Sequence, residues 1–206
     1  MAPAGRPNST AFKRDRIVEM TLRLIADEGL EGATTARIAA ASGVSEATLF
    51  RMFGTKQALL LAAVDRVHEN FLRLMEASRK DDPLETLLEL ARLHTESQVS
   101  SRADHFTAPL FAFMTAPARF GLREAMAKGQ LKIIEAYVEL LERARTAGRI
   151  SADADVRQAA WMFAAVFLVE DLSCLIGMPG FVLEGRAKIA MEQIISCISR
   201  DGARIY

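Results

Sequence analysis

The chain has 206 residues, half of them hydrophobic, so it is long enough to bury a sizeable core without disulfide or metal staples. Its 26 Lys plus Arg balance 26 Asp plus Glu, which excludes a blanket electrostatic attraction to nucleic acid and leaves that role to a local motif. The asymmetry is small: residues 1–57 hold 8 basic against 6 acidic side chains, and the remainder 18 against 20.

Residues 1–11 carry Pro, Gly and Ser and read as a disordered, mildly basic arm, with Arg6 and then Lys13, Arg14 and Arg16 able to reach phosphates. No apolar core marks this stretch as a signal peptide, and a soluble, cytoplasmic protein is expected. From Phe12 to Glu28 the residues Ile17, Val18, Leu22 and Ile25 recur at helical spacing until Gly29 supplies a stop. Thr34 or Thr35 can cap a second helix with Ile38 and Ala39 inward, and Ser42-Gly43-Val44 ends it in a tight turn. Ser45 then caps a third helix that buries Leu49 and Phe53. Past Thr55-Lys56, the repeat Leu60, Val64, Val67, Phe71, Leu74 predicts a helix of about five turns, long enough to join this N-terminal unit to whatever lies behind it.

Pro83 closes that helix and fits the first turn of the next, which runs past Leu87 and Leu90 to a break at Ser100–Asp104. An aromatic segment from His105 to Thr115 follows, and Pro117 is expected to open a helix through Leu131, Ile134, Tyr137 and Leu141. Val156–Ile176 is apolar on nearly all sides and reads as a helix buried from both directions. Its longest unbroken apolar run, Ala159 to Val169, is shorter than a membrane span requires. Gly177-Met178-Pro179-Gly180 breaks the chain before a last helix from about Leu183 to Ser199. Cys174 and Cys197 fall in apolar helical patterns and read as small buried hydrophobes, not a disulfide. The expected fold is therefore all-α, about nine helices, with an N-terminal three-helix helix-turn-helix domain over residues 12–57 and a C-terminal helical ligand-binding and dimerisation domain over residues 58–206.

The spacing from Ile38-Ala39 through Gly43-Val44 to Leu49 suits a helix-turn-helix whose second helix can enter a major groove. Thr35, Ser45 and Thr55-Lys56 stand at helix starts, where backbone N–H groups favour phosphate. Arg37, Glu46, Ala47, Thr48 and Arg51 are the candidate base readers, and Phe50 can pack on sugar or a thymine methyl. The runs TTARIAAASGVS and ATLFRMFGTKQALL resemble the N-terminal domain of TetR-type (tetracycline-repressor-like) transcriptional regulators, over roughly residues 12–64. Phe50 stands where that family commonly has Tyr, and Met52 where it commonly has His; Phe50 cannot donate a hydroxyl to a phosphate.

The resemblance implies a homodimer on a palindromic double-stranded DNA operator, most simply a repressor released by a small apolar or amphipathic effector. It also places the dimer contact on the last two helices, where Val166, Met191, Ile194 and Ile198 form the candidate stripe. Phe71, Met75, His94, Phe111, Met114, Tyr137, Trp161 and Glu170 are the candidate effector-binding residues, with Phe106, Phe113 and Phe163 beside them and Asp171 a further polar anchor. His68, His94 and His105 lie far apart and no catalytic, metal-spacing or phosphate-cradling motif is present, so neither catalysis, a metal nor a cofactor is expected. An all-helical adaptor that uses the helix-turn-helix as scaffold is the competing reading; its mark would be an apolar outer face on the second helix of the motif.

Overall fold

The structure, a computed structural model, describes residues 10–99 and 104–200, and among them the chain forms ten α-helices and one short 3₁₀ turn. The helices are α1 (Thr10–Gly32), α2 (Thr35–Ser42), α3 (Glu46–Phe53), α4 (Lys56–Ala77), α5 (Pro83–Gln98), α6 (Asp104–Met114), α7 (Leu122–Thr146), α8 (Val156–Leu175), α9 (Pro179–Leu183) and α10 (Arg186–Ile198). Most of the expected arm and four residues of the break at Ser100–Asp104 lie outside the described residues, and α1 already contains Thr10 and Ala11. Within α1 the backbone leaves helical geometry at Gly29, as its position after the last apolar repeat predicts.

Local chemistry sets the other boundaries. Thr34, Ser45, Thr55 and Asp82 each cap a helix by accepting a backbone N–H two or three residues on. Gly43 adopts the left-handed conformation, and the Gly43 and Val44 N–H groups bond the Ala40 and Ala39 carbonyls. That paired closure turns the chain sharply enough to start α3 at once. Two expectations shift. Pro117 caps the 3₁₀ turn Ala118–Phe120 instead of opening α7, and the last helix starts at Arg186 because Pro179–Leu183 forms a helix of its own.

Two cores organise the molecule. One gathers Ile17, Leu22, Ile38, Leu49, Phe53, Leu59, Leu60 and Val64, and is completed by Phe113, Ala116, Leu122 and Met126 from further along the chain. The core of the N-terminal unit includes the first half of α4 and is closed by α6 and α7. The other joins Leu87, Leu90, Tyr137, Leu141, Phe163, Phe167 and Met191, with Phe71, Leu74 and Met75 of α4 packed against it. α4 thus contributes to both.

α8 is not buried from both directions. Val156, Ala159, Ala160, Phe163, Ala164, Phe167 and Glu170 face inward, whereas Trp161 and Val169 are about 60 % exposed on the opposite side. Among the described residues it alone has the length and apolarity of a membrane span, and its inner face packs within this protein. Because Phe113 fills the head core from a distant helix, Phe113→Ala should cost about 3–5 kcal/mol. Urea unfolding followed by circular dichroism measures this, and loss of under about 1 kcal/mol would show that α6 does not support the head.

Candidate nucleic-acid interface and ligand cavity

α3 turns Leu49 and Phe53 into the head core and leaves Glu46, Ala47, Phe50 and Arg51 exposed, with Thr48 half-buried. Ser45 Oγ accepts the Thr48 N–H at 3.2 Å and donates to Thr48 Oγ1 at 3.1 Å. Thr35 Oγ1 donates to Glu46 Oε2 at 2.7 Å, a direct link between α2 and α3. Arg37 is held by Glu28, so a base contact from its guanidinium requires that exposed ion pair to open. Arg14, expected in a free basic arm, is already committed: Nη1 donates to the Met52 carbonyl at 3.0 Å and the guanidinium lies 4.2 Å from the Phe53 ring centroid. Lys56 opens α4 beside the Thr55 cap, which accepts the Ala58 N–H at 3.0 Å. The outward surface of the motif is small, polar or charged except for Phe50, with helix starts at Thr35, Ser45 and Thr55 around it.

Behind the head lies a cavity of about 480 Å³ between α4, α5, α6, α7 and α8. Its walls include Phe71, Leu74, Met114, Ile133 and Phe167, and its polar groups include His68, His94, Gln98 and Asp171. Of the sequence-derived candidates, Phe71, His94, Met114 and Asp171 line it. Glu170 stands behind His94; Tyr137 is fully buried beneath, stacked with Phe163 and Phe167. Met75 packs on the same core, but Phe111 does not border the cavity, Phe113 belongs to the head core, and the Phe106 side chain lies outside the described residues. Trp161 is a correction: it points to the opposite face of α8, because it falls two positions before Phe163 and about 200° around the helix. His68 is a cavity residue that periodicity did not single out. Its ring fits only because Gly129 of α7 has no side chain; a Cβ there would lie 2.2 Å from His68 Nδ1.

A buried ionic cluster borders the cavity. His94 Nδ1 donates to Glu170 Oε2 at 2.7 Å and Nε2 lies 3.2 Å from Asp171 Oδ1. Thr95 Oγ1 donates to Glu170 Oε1 at 2.7 Å, Gln98 Nε2 donates to Asp171 Oδ1 at 2.6 Å, and Thr107 Oγ1 donates to Gln98 Oε1 at 3.2 Å. Burial by itself would lower the His94 pKa, but the hydrogen bonds to Asp171 and Glu170 outweigh it and raise the imidazole to about 9. Burial also raises the Tyr137 hydroxyl well above its ordinary value, and the Asp171 charge adds to the shift.

α8 and α10 carry a second concavity, about 810 Å³, on the outside of the molecule. Val166 and Ile194 border it, as the sequence suggested, together with Trp161, Val169 and Phe181. Met191 corrects that stripe: it is fully buried in the core of its own chain and has no surface to offer a partner, and Ile198 is half-buried against the same core. Cys197 borders the groove and is exposed, and Cys174 is half-buried, so neither is the buried hydrophobe expected.

Residues 17–63 match the family model for bacterial regulatory proteins of the tetR family. The nucleoid occlusion factor SlmA of Haemophilus ducreyi is 29% identical over 88 residues, covering 42% of this chain and 44% of the relative. The HTH-type transcriptional regulator BetI of Rhizobium meliloti is 32% identical over 98 residues, covering 46% and 44%. The chain thus spans less than half the length of these curated relatives. SmeT, the repressor of the Stenotrophomonas maltophilia multidrug efflux pump SmeDEF, superposes with a TM-score of 0.73 at 20% identity, over 96% of this chain and 94% of SmeT. That likeness extends the shared fold to both cores.

Since the folded-state pKa of His94 lies above its unfolded value of 6.5, its stabilisation is complete below about pH 6.5 and is lost as pH rises through about 9. The shift corresponds to about 3 kcal/mol. Urea midpoints should fall from pH 6.5 to pH 10 in the parent chain, with a much flatter profile in His94→Gln. Parallel profiles would mean that His94 does not gain its proton on folding.

Proposed function

We propose that this chain, which belongs to the tetR family of bacterial regulatory proteins, is a dimeric transcriptional repressor. In this reading it binds a palindromic operator and is released by a small apolar or amphipathic molecule held between α4 and α8. The observation that carries the DNA-binding part is the exposed, mainly polar face of α3 on an intact helix-turn-helix core. An adaptor docking protein on that helix would be expected to present an apolar face instead.

In this reading Thr35, Ser45 and the Thr55-Lys56 pair contact phosphates, since unsatisfied N–H groups and the positive helix ends meet there. Glu46, held by Thr35, is a fixed acceptor suited to a cytosine amino group, while Ala47 and the Thr48 methyl suit thymine. Arg51 and, once released from Glu28, Arg37 suit guanine edges. Phe50 packs on sugar or a thymine methyl, replacing a polar contact with an apolar one.

One head reads only a few base pairs, so two are needed for a specific site. The exposed apolar face of α8 with α10 supports pairing there through a four-helix arrangement, because a patch of this kind on a soluble chain marks a contact surface. The cavity supports effector control. Its wall includes α4, the same helix that begins beside the DNA at Lys56, so a molecule favouring one position of α4 favours one separation of the heads. SmeT has been solved as a complex with triclosan. A transcriptional regulator and a nucleoid occlusion factor both resemble this head, so the regulatory assignment leans on the cavity as well as the motif.

Selecting bound fragments from native or random DNA tests the whole reading: recovery of an inverted repeat supports it, and no enrichment transfers weight to the adaptor. Lys56→Ala should weaken specific and random DNA alike and lower the slope of log affinity against log salt by about one. Thr48→Ala should instead relax discrimination at one base pair by about 1–3 kcal/mol, read by fluorescence anisotropy. Equal loss on every sequence from Thr48→Ala would remove it from the reading face. Val169→Glu, on the exposed side of α8, should give a folded monomer by light scattering that no longer holds a palindrome; a persisting dimer places the contact elsewhere.

A further inference from the structure

The chemistry inside the cavity is directional. A carbonyl oxygen can only accept, so the 3.0 Å contact between His68 Nδ1 and the Val64 carbonyl requires the proton on Nδ1. In the neutral ring that leaves a lone pair on Nε2. Burial lowers the His68 pKa, against the opposing hydrogen bond to Val64, so the neutral ring is the resting form. His68 is 4 % exposed, borders the cavity, and its Nε2 has no hydrogen-bond partner among the described residues. A buried acceptor left unbonded costs free energy until a donor reaches it.

The cluster at the other polar position has the same bias. His94 contributes one positive charge, Glu170 and Asp171 two negative ones, and the remaining ligands Thr95, Gln98 and Thr107 are neutral. Its net charge is −1, and of the two carboxylates it is Asp171 that borders the cavity. Arg66 and Arg73 stand among the cavity residues, and Arg66 Nε is a buried donor with no hydrogen-bond partner among the described residues, but the Arg66 charge is met by Asp15 and Glu69 and that of Arg73 by Glu69, and Glu19 adds a further carboxylate to the cavity residues. The other named walls, Phe71, Leu74, Met114, Ile133 and Phe167, offer no charge.

We propose that the cavity selects an apolar molecule bearing a protonated amine, a lipophilic ammonium whose N–H groups reach the lone pair of His68 Nε2 or the Asp171 carboxylate, and that it discriminates against carboxylates. This rests on the cavity being the effector site, and it adds the sign of the charge. An ammonium supplies donors and no acceptor, which complements both polar positions. A carboxylate would face a like charge and leave His68 Nε2 unbonded, whereas an alcohol offers one donor without the ionic term.

Isothermal titration with three probes of equal chain length, 1-aminodecane, 1-decanol and decanoate, tests the proposal without reference to DNA. The amine should bind at least tenfold more tightly than decanoate, with the alcohol between them. Asp171→Asn should bring the amine level with the alcohol, and His68→Phe should weaken both several-fold while affecting decanoate least. Cooperative thermal unfolding establishes that each variant is folded; should either fail, the ranking of the three probes on the parent chain decides. Decanoate binding as tightly as the amine overturns the charge assignment and leaves the effector site standing. If none of the three binds, both the assignment and the reading of the cavity as an effector site fall.

Discussion

One helix has to satisfy two interiors at once, and most of the architecture follows from that. α4 buries Leu59, Leu60, Ala63 and Val64 in the head core, then turns Phe71, Leu74 and Met75 toward the core behind it. No flexible linker separates these two sets of contacts. Phe113, Leu122 and Met126 reach forward into the head from α6 and α7, so the head rests on the rest of the chain at a second place. A rigid element fixed at both ends transmits displacement, because close-packed interfaces respond by switching between arrangements, not by continuous deformation.

The price of placing a charged cluster at the edge of an apolar core is desolvation, and it is met only when every member is bonded. His94 meets two carboxylates, and Thr95 and Gln98 satisfy further oxygens, with Thr107 holding Gln98 in turn. These residues tie α5 to α8 and α6 to α5. A hydrophobic pair in their place could match the stability, but would not present a fixed charge to the cavity. Phe71 meets the His94 ring edge-on and Phe167 meets it at a tilt, with centroids 6.0 and 4.5 Å away, which limits its orientations.

The head was legible in the sequence because its signals are local. Capping residues at Thr34, Ser45 and Thr55, a glycine at the turn and apolar residues at helical period each act over a few positions, and all agree. What periodicity cannot reveal is which body covers an apolar side. Met191 and Ile189 both lie on apolar α10, yet the first is sealed within its own chain and the second is exposed. The same limit explains α8: eleven consecutive apolar residues look buried all round until Trp161 and Val169 are seen on the outside. His94 with Glu170 and Asp171 was found as a set of polar anchors in an apolar setting, but the pairing joins residues about seventy-five positions apart and required the packing of α5 on α8.

His68 shows why the rest of the cavity escaped a one-dimensional reading. Its place depends on Gly129, sixty-one positions later on α7, whose missing side chain makes room for the imidazole. A larger residue at 129 would displace either the ring or α4 itself, since the clash falls on ring atoms close to the helix backbone, not at the end of a flexible side chain. His68 lies twelve residues after Lys56, so a ligand engaging its ring acts on α4 about 18 Å along the axis from the first turn. In the proposed reading, a ring drawn toward a donor would change how α4 sits against α7, and Lys56 would move with its helix. The contact that would identify the effector thus belongs to the helix that would carry its signal.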